Sequence, residues 1–124
     1  MTELNSISYE IIGCAYKVHS SLGPGLLEST YEVCLMHKLH QKGLNVEKQK
    51  PLPVVYNGNK LDAGYRIDLL VENKIIIELK SVEEIIPIHI AQLMTYLKLS
   101  KLKLGLLLNF NVTYMQNGIY RRVL

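Results

Sequence analysis

Cysteine is scarce in this chain of 124 residues, which contains two. Cys14 and Cys34 sit at apolar helical positions with no Cys-x-x-Cys spacing, so a zinc knuckle is excluded and buried, reduced thiols are expected. No signal peptide precedes them, and the expected location is cytoplasmic. Long apolar runs are also missing: the longest, around residues 104–108, is far too short to cross a bilayer, so no membrane partner is expected. Charge is weakly unbalanced, with a formal net charge of +3 and a pI near 8.8. That falls short of a dedicated nucleic-acid binder, but it permits a nucleic-acid partner. The chain has no glycine-rich phosphate loop, no His-Glu-x-x-His helix and no nucleophile-elbow serine, which removes those routes to catalysis.

With 48% hydrophobic residues, the chain can bury a substantial core without disulfides or structural metal, and a single domain over 1–124 is expected. Ile7, Ile11, Cys14, Ala15, Val18 and Leu22 recur at helical spacing until Gly23-Pro24-Gly25 breaks the pattern. Leu27, Tyr31, Cys34, Leu35 and Leu39 form a second helical stripe that stops at Gly43, with Glu28 and Glu32 early in it. Residues 46–56 read as extended, and Pro51 and Pro53 suit an irregular or edge strand. Asn57-Gly58 is a hairpin turn into 60–71, where Gly64 suggests a bulge or bend before Asp68. A third helix is predicted over 87–100, with Pro87 tolerated in its first turn, then a strand over 104–110 and a weaker one over 119–124. The strand-helix-strand run across 75–110 describes a crossover with parallel strands. The predicted class is α/β of the α+β type, in the order α-α-β-β-β-α-β, with a mixed sheet flanked by helices.

The informative exception lies in two apolar runs, 69–71 and 75–77, beside which stand Asp68, Glu78 and Lys80. An unpaired buried carboxylate costs several kcal/mol, so something must compensate these charges. The runs are rich in β-branched residues and are separated by Glu72-Asn73-Lys74, which reads as a hairpin loop. If all three residues form the loop, Val71 pairs with Ile75 and Leu69 with Ile77. Asp68 then lies opposite Glu78, with Lys80 on the same face. A two-residue loop would slip the register by one and put the acids on opposite faces. The three-residue register also makes Ile67, Leu69, Val71, Ile75, Ile77 and Leu79 one apolar face, so that one face packs and the other reacts. Opposed carboxylates have Cβ atoms roughly 5 Å apart and repel by about 3 kcal/mol at an effective dielectric near 20. A shared proton, a cation or Lys80 must relieve this. Oxygen-only ligands favour Mg2+ or Mn2+, which points to phosphate chemistry.

An acid on one hairpin strand, Glu-x-Lys on the next and this element order together resemble the PD-(D/E)XK nuclease superfamily. More narrowly, Gly25-Leu26-Leu27-Glu28-Ser29-Thr30-Tyr31 reads G-x-x-E-x-x-Y, and nearly the whole chain resembles the GxxExxY family within it. The resemblance implies a restriction-endonuclease-like core and metal-dependent hydrolysis of nucleic acid, DNA ahead of RNA, with a homodimer as one assembly. Asp68 and Glu78 would bind Mg2+ or Mn2+, the backbone carbonyl of Leu79 would be a further ligand, and Glu28 would complete the metal site directly or through water. Lys80 would orient or help deprotonate the attacking water, and Gln92 would position Lys80 or the substrate phosphate. Arg66-Ile67 stands where some members carry the proline of the superfamily name, which many others lack.

Each of these residues has an ordinary reading as well. Glu28 is also an acid favoured by the helix N-terminal dipole, Tyr31 a packing residue with a tethered hydroxyl, and Gln92 an exposed helical glutamine. His89, Gln92 and Tyr96 form a polar-capable stripe beside Ile86, Ile90, Leu93 and Leu97. Lys98, Lys101, Lys103 and Arg121-Arg122 make a basic rim for phosphates or simply a solvated surface. The competing classes are a noncatalytic nucleic-acid-binding or assembly module that keeps the nuclease fold, and a purely structural site in which Lys80 forms a salt bridge with Glu78 or Asp68.

Overall fold

A computed structural model describes all of residues 1–124. Two helices come first, α1 (Thr2–Leu22) and α2 (Glu28–Gln41), followed by strands β1 (Val46–Pro51), β2 (Val54–Tyr56), β3 (Asn59–Leu61), β4 (Arg66–Val71) and β5 (Ile75–Lys80). The chain then runs through α3 (Pro87–Ser100), β6 (Leu104–Asn109), a 3-10 turn (Met115–Gly118) and β7 (Ile119–Val123). Five strands form one sheet in the order β1-β4-β5-β6-β7. Only β5 and β6 run parallel, as expected of a crossover through α3. The result is a mixed sheet with helices on both faces, an α+β fold of the predicted class. No helix is long and apolar enough to cross a membrane.

The central strand β5 explains the core. Ile75, Ile77 and Leu79 pack with α1 and α2, among Ile11, Tyr31 and Leu35. Ile76 points the other way, into a cluster with Leu93, Tyr96 and Leu97 of α3. Period-two alternation therefore feeds two cores at once, and each buried Ile or Leu contributes about 1.5–3 kcal/mol. Gly105 lets α3 approach β6, because a Cβ there would meet Leu93 Cδ1 at 2.7 Å.

Four expectations are corrected. The three-strand meander is interrupted: β2 and β3 pair only with each other as a separate two-stranded sheet, and β1 pairs directly with β4. Pro51 and Pro53 end the first strand, Asn57 (φ 52°) and Gly58 (φ 76°) make the tight turn, and Gly64 (φ 84°) breaks the run before β4. Ile67 leaves the predicted apolar face and joins the α3-side cluster. The neighbouring residue accounts for this: Gln49 has φ 50°, and the Gln49–Asp68 step is missing from the β1–β4 ladder. Both sheet faces are packed, so a wholly reactive face does not exist and the acids take only its open end. Finally, Cys14 is buried but Cys34 is only partly so, and both thiols are free.

Candidate active site

The hairpin loop sets the geometry. Glu72 (φ 54°) and Asn73 (φ 55°) are both left-handed, and the Lys74 N–H donates to the Val71 carbonyl at 2.9 Å. Glu72 also accepts the Asn45 N–H at 2.5 Å, which ties the loop to the start of β1. The pairs are Val71–Ile75, Leu70–Ile76 and Leu69–Ile77, so the three-residue register is the one adopted. One step further along, Asp68 and Glu78 face each other and the backbone ladder gives way to side chains. The Asp68 N–H donates to Glu78 Oε2 at 3.0 Å, and the Leu79 N–H donates to Asp68 Oδ2 at 2.8 Å. Each carboxylate thus satisfies an amide of the opposite strand.

This arrangement keeps negative charge where it is unwelcome. Glu78 is 6% exposed, and its carboxyl is pushed up to about 8, first by burial and then by the charge of Asp68. Asp68 is also raised by burial, against the opposing pull of the Leu79 amide, the Gln49 amide and Lys80. Lys80 acts through its field alone, because the four ion pairs of the protein, Lys42–Glu10, Lys50–Glu47, Arg66–Asp62 and Lys74–Glu3, do not include it. The salt bridge required by a purely structural reading is therefore not formed.

The helix acid linked to the pair is Glu32, which lies one turn beyond Glu28. Gln49 Nε2 donates to Glu32 Oε2 at 2.8 Å and to Asp68 Oδ1 at 3.3 Å, bridging the two carboxylates. Burial raises the Glu32 pKa, and the charge of Asp68 adds to the rise. Glu28 is exposed at the first residue of α2 and makes no hydrogen bond to the pair, although its charge raises Glu78 further. The available signal for Glu32 was its i+4 spacing from Glu28, which puts both on one helix face.

The G-x-x-E-x-x-Y segment acts as a clasp. Tyr31 is fully buried and stacks on Phe110 with ring centroids 4.6 Å apart. Its hydroxyl donates to the Gly23 carbonyl at 2.5 Å and accepts the Leu26 N–H at 3.2 Å, holding the loop that begins α2. Gly25 (φ 95°) supplies the left-handed turn. Ser81 Oγ donates to the Leu26 carbonyl at 2.6 Å, joining that loop to the residue after Lys80. Asn109, which no sequence motif marks, is 3% exposed. It brackets Val82, donating to its carbonyl at 3.0 Å and accepting its N–H at 3.1 Å, so the chain leaving Lys80 is fastened to β6.

On α3, Gln92 Nε2 donates to the Tyr96 hydroxyl at 3.1 Å and makes no hydrogen bond to either acid or to Lys80. Tyr96 is buried, and its phenol is pushed up first by burial and then by the charge of Glu78. His89 is a helix-end group whose Nδ1 accepts the Ile86 N–H at 3.1 Å.

The donor set fits a hard divalent cation. Glu78 Oε1 has no hydrogen-bond partner, and no buried side-chain polar atom lacks one, so this oxygen keeps contact with solvent. No three Asp, Glu, His or Cys side chains converge on one point. Two carboxylates with water and substrate oxygens are a common Mg2+ environment.

A family model described as the PD-(D/E)XK nuclease superfamily matches residues 5–123. No curated protein and no solved structure matches the chain. Nucleases of that superfamily generally use divalent metal ions, and membership implies a nucleic-acid substrate. With the match running from the first turns of α1 to the end of β7, through the opposed acids of the hairpin, the chain belongs to the PD-(D/E)XK nuclease superfamily.

Proposed function

We propose that the protein is a GxxExxY-type nuclease that hydrolyses phosphodiester bonds of nucleic acid, DNA ahead of RNA. The observation that carries this reading is the pair of opposed carboxylates, Glu78 buried and Asp68 partly so, with Glu78 raised to about 8. Such a pair favours a cation over two bare charges. Asp68 and Glu78 would hold Mg2+ or Mn2+, with the Leu79 carbonyl as a further ligand and Glu28 reaching it directly or through water. When bound, the ion supplies a lowered water pKa and neutralises charge developing on the phosphate. Lys80 adds a positive charge beside the attacking water and orients it. Glu32 holds Asp68 in position through the Gln49 amide. Gln92 positions substrate from α3, and a homodimer would double the surface available to grip it.

Purified protein incubated with Mg2+ or Mn2+ and with single- and double-stranded DNA and RNA is expected to cut at least one of them. Asp68→Ala and Glu78→Ala should each lower the rate by about a hundredfold or more, the scale of losing a charge-stabilising group. No cleavage, or cleavage unchanged in both variants, would sink the reading.

A second reading is favoured by a specific observation: both carboxylates already accept backbone amides, and no third acid closes on them. Under it, the protein is a noncatalytic nucleic-acid-binding or assembly module that retains the fold. Calorimetry with Mn2+ separates the two, since a nuclease site should give a binding signal that Asp68→Asn removes.

A further inference from the structure

Along α3 and the approach to β4 runs a groove of about 480 Å³, of whose lining the chemistry described above uses only Gln92. Its floor and walls include Val54, Tyr65, Ile88, His89, Gln92 and Tyr96, and none of its lining residues is acidic. Tyr65 is 44% exposed. Its ring is braced edge-on by Tyr96, with centroids 6.0 Å apart and planes at 68°. A braced, half-exposed aromatic ring offers a flat stacking face with little entropy left to lose.

The polar atoms along α3 are also committed in a useful way. His89 Nδ1 accepts the Ile86 N–H, which leaves Nε2 as the ring's donor. Gln92 spends an amide hydrogen on Tyr96 and keeps its carbonyl oxygen as an acceptor. One stacking face, one free donor and one free acceptor match the π-face and hydrogen-bonding edge of a nucleobase. Tyr96, on the groove wall, stands in the field of Glu78 and Asp68.

We propose that this groove is a nucleobase subsite, taking one unpaired, unstacked base of the strand whose phosphate lies at Asp68 and Glu78. The identity of that strand rests on the nuclease reading above. A base inside a continuous duplex has its faces stacked and its edge paired, so it cannot enter without being extruded, which costs a few kcal/mol. Single strands, frayed ends and unpaired branches are therefore the preferred substrates.

Fluorescence anisotropy with a labelled single-stranded oligonucleotide and its blunt duplex, without added metal, tests this apart from cleavage. The single strand is expected to bind roughly tenfold tighter than the duplex, and Tyr65→Ala to remove roughly tenfold of that affinity, within the range for losing one base stack. Tyr65→Phe should keep it. Ile88→Glu, at a position 65% exposed, should weaken single-strand binding without disturbing the fold. The same ratios are to be read from KM when cleavage is followed in Mg2+. Equal affinity for strand and duplex, or Tyr65→Ala and Ile88→Glu both binding like the unaltered protein, overturns the subsite. If duplex is cut under those conditions, the nuclease reading survives that result. If no nucleic acid is bound or cut, both readings fall.

Discussion

The two ends of the β4–β5 hairpin are built from the same strands by opposite means. At the loop end, Val71, Ile75 and Ile77 are fully buried and paired through the backbone, so register rests on apolar packing and a left-handed turn. At the open end the ladder stops, and the Glu78 and Asp68 carboxylates take over the amides of the opposite strand. The loop end gains stability from its chemistry, whereas the open end holds two acids in surroundings that resist their charge. A site of this kind needs a rigid neighbour, and the packed half of the same hairpin supplies one.

The largest effect should come from breaking the loop end. Ile77→Ala empties a fully buried position between the sheet and the α1–α2 layer and is expected to lower stability by about 2–5 kcal/mol. Urea unfolding with an unchanged m-value checks this, and a cost near zero would erase the contrast between the two ends. Next comes the pH dependence of the open end. Because Glu78 titrates at about 8 when folded against 4.5 ordinarily, the folded state holds its proton more tightly. The metal-free protein should therefore lose stability as pH rises through that window. Glu78→Gln should flatten much of the slope, leaving a remainder from Asp68, which is also raised. Melting curves between about pH 4 and 9 span that loss, and an equal slope in the variant would mean that the open end is no less comfortable than the loop end. The smallest effect belongs to the clasp: Tyr31→Phe loses the bonds to Gly23 and Leu26 at a cost of about 1 kcal/mol. A larger fall in cleavage than in stability would mark Tyr31 as a positioning residue for the start of α2.

Much of the frame was legible residue by residue. Pro87 and the stripe after it predicted the third helix with both of its bounds, and the β-branched runs around Asn73 predicted the hairpin and its register. These are local signals, carried by side-chain period and turn chemistry within a few residues. The separate β2–β3 sheet is not legible, because a bend at Gly64 within one extended run 60–71 and a full break there look alike in sequence. Ile67 was assigned to the wrong face because strict alternation ignores the distortion at Gln49.

The sequence by itself determined which residues are the candidates for chemistry, because a carboxylate set against an apolar strand run must be compensated by something, and Glu-x-Lys follows Asp68 at the spacing that brings the charges together. Only the tertiary structure decided which helix acid is tied to Asp68. Glu28 and Glu32 lie four apart on one helical face, so no periodicity can choose between them. The choice fell to Gln49, 17 residues from Glu32 and 19 from Asp68, whose left-handed backbone at the sheet edge turns one amide toward both acids. Such a contact depends on how a helix seats against a sheet, which is set by the packing of the whole core and by no segment alone.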